Sequence, residues 1–540
     1  MWNKNQIETA SFLSTYKIQL LIIAVLVLIL YGRVIQFGYV GLDDKALILD
    51  NYSFIRNLSN IKTAFIHDVF YNPKNSGTQI IYYRPLMTLS LMMDSQFGEQ
   101  SSKFYHIVNI ILHLACCFLL FRFFTLLKYR PDVSFCATIL FAIHPILSEA
   151  VSWIPGRNDS MLTLFSVASL FCFTRFLETR KTKTFIFHLL FFALALFTKE
   201  TAIFLPLISW LYYVLIYTKE NAHKKFTSGI GSFYILIGYL IIGLVWFFLR
   251  RIALAHSAAD LSILHLIDLF ITNLPMYLQV LQKLIVPYNL STMSSVADTN
   301  FWVGFISIAA LIGLLFFSKQ KRWNYIIFGF IWFNIFLLPV FFVSIKAGFD
   351  HRTYFPLIGF LILVLEIDYF KNLSYKKPGT LTGFVLIVVA YGVLNFVHTS
   401  CFANSISFWE NAVTNSPESS LAKLNYGYEL AGAGRIDEAI KVYNEGIVIN
   451  PSEHMIHNDL GILYVRKHMY PEAEKEFIEE TKVNPTYSRA YYNLGLLYNL
   501  LGKENEMRDA WIKAVSVDPA NTEAQNALNL YYQGKIQFKR

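Results

Sequence analysis

Residues 18–45 read IQLLIIAVLVLILYGRVIQFGYVGLDDK. The run at 18–37 carries a single charge, Arg33, and is long enough to cross about 30 Å of hydrocarbon as a helix. It ends in Gly41-Leu-Asp43-Asp44-Lys45. Two adjacent carboxylates therefore stand where a membrane ends and water begins. The run is too long for the apolar part of a secretion signal and lacks a small-residue cleavage site, so it is expected to stay as a helix.

Working outward, similar apolar runs recur at 104–125, 133–150, 160–177, 185–198, 202–217, 230–249, 301–317, 325–345, 353–369 and 379–398. Together they predict eleven spans. The chain is 55% hydrophobic and 15% charged, against roughly 25% charged in soluble domains. From about 404 the composition becomes that of a soluble protein. The expected fold class is all-α: a polytopic transmembrane helical bundle over 1–400, then a separate helical domain over 404–540.

Net charge is +9, which raises nucleic acid as a partner and then excludes it. The cations cluster in short loops: Lys128 and Arg130; Arg180, Lys181 and Lys183; Lys219, Lys224 and Lys225; Lys319, Lys321 and Arg322; Lys371, Lys376 and Lys377. Such clusters mark cytoplasmic loops, so the partner they indicate is the lipid bilayer. This places the N-terminus inside and the C-terminus outside. Residues 264–287 are apolar but interrupted by Asp268, Asn273, Pro275, Gln279, Gln282 and Lys283. A crossing there would put Lys319, Lys321 and Arg322 outside, so an outer amphipathic or re-entrant segment is expected. The five cysteines form no CxxC pair, which indicates neither a zinc site nor a disulfide framework.

The loops left on the outer side hold Asp43, Asp44, Tyr83 and Arg84; then His144, Glu149, Arg157 and Asp159; then Lys199 and Glu200; then Asp350, His351 and Arg352. Ionisable groups at membrane depth cost a few kcal/mol each and mark functional sites. Each has a plainer reading too. The aspartates suit a helix cap, Arg84 a helix start before Pro85, and His144 a satisfied interior histidine. Glu149, Arg157 and Asp159 suit a structural ion pair, Lys199-Glu200 an interfacial pair, and Arg352 an interface anchor. Their joint occurrence on one side points to a single polar site. A carboxylate serves as general base toward a hydroxyl, and Arg84, Arg157, Lys199 and Arg352 suit a phosphate. That combination, open to lipid and to the outer space, fits transfer of a sugar from a lipid phosphate. A divalent cation beside the carboxylates is compatible with this chemistry, although no ligand spacing requires one.

Beyond 404 a period of 34 appears. Gly427, Gly461 and Gly495 share it, as do Pro417, Pro451, Pro485 and Pro519, and Trp409, Tyr443, Phe477 and Trp511. This is the tetratricopeptide repeat: the glycine admits a second helix, the aromatic fills the gap, and the proline ends the pair. A half repeat at 404–419, full repeats at 420–453, 454–487 and 488–521, and a capping helix at 522–533 are expected. Asn425, Asp459 and Asn493 are equivalent positions, with Tyr428 and Tyr492 beside them. Side-chain amides there suit an extended acceptor polypeptide, although polar residues are common at this position.

Several motifs carry a family resemblance: Val40-Gly-Leu-Asp43-Asp44, Tyr83-Arg84-Pro85-Leu86, His144-Pro with Glu149-Ala-Val, Gly156-Arg157 with Asp159, and Lys199-Glu200. The chain resembles the transmembrane O-mannosyltransferases that carry tetratricopeptide repeats and their bacterial relatives, within the GT-C glycosyltransferases. The resemblance covers nearly the whole chain. It implies an inverting transferase using a polyprenyl- or dolichyl-phosphate sugar, with the base at Asp43 or Asp44. The sequence departs from the family in continuing Lys199-Glu200 with Thr-Ala and in reading Asp350-His351-Arg352-Thr-Tyr late in the bundle. A non-enzymatic envelope scaffold and a lipid-linked glycan ligase are the alternatives. Residue usage leans to a bacterial inner membrane with periplasmic repeats; a eukaryotic chain would sit in the endoplasmic reticulum.

Overall fold

The structure, a computed structural model, describes residues 15–73, 82–220, 229–255, 262–342, 347–348, 350–374 and 378–536. Lys224, Lys225, Lys376, Lys377 and the end of the expected span 325–345 lie outside them. The chain divides into two compact units, Met1–Phe408 and Trp409–Arg540. Both are helical; among the described residues the one strand pairing joins Ser294-Ser295 to Ala347-Gly348.

The first unit is built from long apolar helices. In Lys17–Tyr31 the residues Ile23, Val27 and Tyr31 are fully buried, while Ile18, Leu21 and Ile29 are more than 60% exposed. An apolar residue left outside at helical spacing is what a lipid-facing stripe looks like. Eight described helices are long and apolar enough to cross a membrane, or nine if the pair Pro131–Ile143 and Pro145–Ser152, bent by 52°, counts as one span. Eleven were expected. The expected spans at 185–198 and 301–317 are helices of 17 residues, Thr182–Thr198 and Phe301–Phe317. The one at 353–369 contains the nine-residue helix Pro356–Val364, buried along its whole length, and the start of the short helix Asp368–Lys371. Apolar side chains mark that stretch equally well in a core and in a bilayer. The segment at 264–287 passes the same test of length and composition, but forms two helices, Ile263–Asn273 and Pro275–Ile285. Its Asn273, Gln279 and Lys283 are turned inward and hydrogen-bonded.

The basic loops gather at one end of this unit. Glu366, fully buried, accepts from Tyr129 Oη (3.0 Å), Arg322 Nη2 (2.7 Å) and Lys371 Nζ (2.8 Å). Arg130 donates to Leu373 O at 3.0 Å, Tyr325 to Glu220 at 2.5 Å, and Tyr217 to Leu177 O at 2.9 Å. The helix Ser102–Leu126, about 37 Å long at 1.5 Å per residue, leads from there to the opposite end. Near that end Asn109 donates to the carbonyls of Val151 and Trp153. The 45–73 loop is no loose excursion: Leu47, Ile48, Phe54 and Ile55 pack on Met87, Leu91, Tyr105 and Ile154 as a small core of their own.

The second unit stacks antiparallel helix pairs: Ser420–Gly432 with Ile436–Ile449, Ile456–Arg466 with Tyr470–Val483, and Ser488–Leu500 with Glu504–Val517, closed by Thr522–Tyr532. A Cβ on Gly495 would lie 2.4 Å from the Trp511 ring, and one on Gly461 2.8 Å from Phe477. The glycine–aromatic pairing seen in the period is thus a steric contact. Gly495→Val is expected to destabilise this unit by about 1–3 kcal/mol through overpacking, read as a fall in the unfolding midpoint of its tryptophan fluorescence.

Candidate functional site

At the end opposite the basic loops, five chain segments meet. The first is Gly38–Lys45, pinned by Gly38 N to Ala403 O (2.9 Å) and Gly41 N to Ser405 Oγ (2.6 Å). The two aspartates there have different surroundings. Asp44 is 1% exposed, and its Oδ2 accepts from Val40 N at 2.7 Å, closing its own loop. Burial pushes its carboxyl well above the ordinary value. Asp43 is half-buried and has no hydrogen-bond partner among the described residues. It feels Arg84, Arg352 and Glu149, and burial raises its pKa to about 6.

Pro85 opens the helix Pro85–Gly98, where its missing N–H costs nothing. The preceding Arg84 is left to turn aside. Its Nε and Nη2 clamp Glu200 at 3.1 and 3.0 Å, and its guanidinium lies over the Tyr82 ring at 4.3 Å. With the Asn158 amide turned to satisfy both ends, its oxygen accepts from Arg84 Nη1 at 3.2 Å.

The stretch 144–159 folds back on itself. A Cβ on Gly156 would lie 2.8 Å from the Glu149 carbonyl oxygen, so only glycine lets the helix Arg157–Thr179 start this close to Ser148–Ser152. The first turn of that helix then sends its side chains apart. Arg157 is fully buried, pairs with Asp94, and donates to Tyr105 O at 2.8 Å. Asp159 accepts both contacts of Lys199 Nζ, at 2.7 and 2.9 Å. Lys199 itself is extended, φ −152° and ψ 134°, between two helical segments. That break lets neighbouring Lys199 and Glu200 take different partners.

His351 bridges the groups. Its backbone N–H donates to Glu149 Oε2 at 2.8 Å, its Nδ1 lies 2.9 Å from Glu149 Oε1, and its Nε2 lies 4.0 Å from Asp159. Burial holds the ring well below its ordinary pKa, so it is neutral at pH 7. Arg352 follows, half-buried. The turn is braced from below by Lys283, whose Nζ reaches Asp350 Oδ1 at 2.8 Å and Ser294 Oγ at 2.6 Å.

The structure therefore brings together Asp43, Arg84, Glu149, Asp159, Lys199, Glu200, His351 and Arg352 through contacts or facing charges. Four candidates point elsewhere, Asp44 among them because it closes its own loop on Val40 N. Arg157, expected beside a phosphate, is consumed by Asp94 and Tyr105. His144 sits 3.1 Å from Leu284 O through Nε2 and caps Ile146 N through Nδ1. Tyr83, 1% exposed, donates to Phe65 O at 2.8 Å. Sequence reasoning missed Asp94 and the task of Lys283. Each is a lone charge inside an otherwise apolar stretch, which is the signal that marks them. Among the described residues no group of three or more His, Cys, Asp or Glu is placed to hold a metal ion. In the repeats, Asn493 donates to Asn458 at 2.8 Å and Asn458 to Asp459 at 3.0 Å. Asn425 bonds its own helix at Leu421 O, Tyr428 is 57% exposed, and Tyr492 is half-buried.

Residues 87–238, which include Glu149, Asp159, Lys199 and Glu200 of this site, match the family described as dolichyl-phosphate-mannose-protein mannosyltransferase, and residues 488–521 match the tetratricopeptide repeat. The chain is similar, over part of its length, to proteins named protein O-mannosyl-transferase. A protein O-mannosyl-transferase of Caenorhabditis elegans is 24% identical over 76% of this chain and 60% of its own length. The Mus musculus protein O-mannosyl-transferase TMTC2 is 35% identical over 26% of this chain and 16% of its own. The Drosophila melanogaster protein O-mannosyl-transferase Tmtc1 is 31% identical over 38% and 24%. The chain thus spans less than two thirds of the length of these relatives. With its long apolar helices it is a multi-pass membrane protein.

Proposed function

We propose that the chain is an inverting membrane glycosyltransferase that moves mannose from a polyprenyl- or dolichyl-phosphate donor to a Ser or Thr hydroxyl of a polypeptide. The observation that carries this reading is Asp43: a half-buried carboxylate with a pKa near 6, facing Arg84 and Arg352 at one end of an apolar helical bundle. Asp43 takes the hydroxyl proton while the hydroxyl oxygen attacks the anomeric carbon. The bond from that carbon to the lipid phosphate breaks in the same displacement, which inverts the configuration. Arg84, Lys199 and Arg352 receive the negative charge that the leaving phosphate develops. Tyr83, His144 and Arg157 support the walls. Glu149, Asp159 and Glu200 orient His351, Lys199 and Arg84.

In this reading the site opens to the outer side, either a bacterial periplasm or the lumen of the endoplasmic reticulum, because the basic loops gather at the other end. The membrane domain occupies 1–400 and the repeats 404–540, with Asn425, Tyr428, Asp459, Tyr492 and Asn493 lining the acceptor groove. Binding the acceptor on the same chain as the site raises its effective concentration there.

The test is transfer of labelled mannose from dolichyl phosphate mannose to a Ser/Thr-rich peptide by the purified chain, followed against pH. The base must be ionised, and burial has raised its pKa. The rate is therefore expected to be flat above about pH 7 and to fall roughly tenfold per unit below the pKa near 6. Label appearing on a glycan and not on the peptide would favour a ligase; no transfer, with normal folding, would favour a scaffold.

A further inference from the structure

We infer that Lys283 is a positioning residue for the donor-phosphate site, acting through Asp350 on Arg352. The inference rests on the reading above, in which Arg352 meets the donor phosphate. Lys283 lies on the helix Pro275–Ile285, far from the motifs in sequence, and is 4% exposed. Its ammonium makes two contacts with Asp350, at 2.8 and 3.0 Å, and one with Ser294 Oγ at 2.6 Å. Asp350, also 4% exposed, accepts Thr353 Oγ1 on its backbone carbonyl at 2.6 Å. The strand pairing of Ser294-Ser295 with Ala347-Gly348 ties the same two segments together just before this turn. Gln279, one turn earlier on the helix, fixes the partner segment by donating to Ser295 O and Thr299 Oγ1.

Lys283, Asp350 and Arg352 line one crevice. A buried carboxylate stays ionised only when a cation pairs with it. Without Lys283, Asp350 has Arg352, two residues on and in the same crevice, to recruit. Lys283 therefore supplies the charge that Asp350 needs and leaves the Arg352 charge to act on Asp43 and Glu149, whose ionised form it favours. The amphipathic helix pair thereby becomes part of the site's support, which gives a lysine in so apolar a segment a task.

The full chain in lipid nanodiscs, titrated with dolichyl phosphate mannose, tests the inference. Lys283→Met is expected to raise the donor KM about tenfold or more with kcat changed only a few-fold. Lys283→Met combined with Asp350→Asn removes the competing carboxylate and brings the donor KM back to within about threefold of the parent, a coupling a double-mutant cycle detects. Lys283→Arg keeps the charge and stays near the parent. An unchanged KM in Lys283→Met, or a double variant no better than the single one, overturns the inference. If Lys283→Met does not fold, Asp350→Asn alone decides: a donor KM raised as far as in Arg352→Met contradicts the capture of Arg352, and a smaller effect supports it. Arg352→Met with an unchanged donor KM would remove the phosphate reading itself, and is distinguishable because it fails without any change at Lys283.

Discussion

Asp43→Asn is expected to lower the rate of mannose transfer by about 10²–10⁴-fold, the usual contribution of a positioned general base. Expression, membrane insertion and donor binding should be unchanged. Asp44→Asn is expected to stay within about tenfold of the parent. Its carboxylate accepts one backbone N–H, from Val40, and an amide oxygen accepts the same bond. The two residues are adjacent in sequence, yet only Asp43 is half-open and faces Arg84 and Arg352. Rates measured with labelled donor, beside size-exclusion profiles in detergent, decide between them. A fully active Asp43→Asn with an inactive Asp44→Asn would move the base to the buried position. Two fully active variants would place the general base at a residue other than Asp43 and Asp44.

Arg157→Met should unfold the protein before it alters chemistry. Arg157 is fully buried and Asp94 is 4% exposed, and the two side chains pair directly. Removing one partner of such a pair leaves an uncompensated charge and costs about 3–5 kcal/mol. The Tyr105 carbonyl also loses its donor. A large drop in the thermal midpoint and poor recovery from membranes are expected. Replacing both members, Arg157→Met with Asp94→Leu, should recover most of the loss, because a matched apolar pair leaves no buried charge. If Arg157 instead held the donor, the single variant would keep its midpoint and raise the donor KM.

In the sequence, Arg84 and Arg157 look alike: each is a cation in an outer loop near a helix start. In the structure Arg84 is half-buried and clamps Glu200, 116 residues away, at the edge of the site. Arg157 is sealed against Asp94, 63 residues away. Glu149 finds His351 across 202 residues and Lys283 finds Asp350 across 67. The expected span at 353–369 shows the same limit, since its apolar side chains fill a protein core over the nine residues of Pro356–Val364.

What is periodic, or summed over a local window, can be read from the order of amino acids. It determined that the chain is all-α, that long apolar helices come first and that 34-residue repeats follow. It also set which loops carry the cations and which carry the mixed charges. Helix length against bilayer thickness and the glycine–aromatic register are local quantities, so one dimension suffices for them. Tertiary structure alone decided which carboxylate is open, which arginine is spent on the scaffold, and which lysine braces the turn. A buried charge is stabilised by whichever opposite charge the fold brings within about 3 Å, and nothing local to the charge specifies that partner.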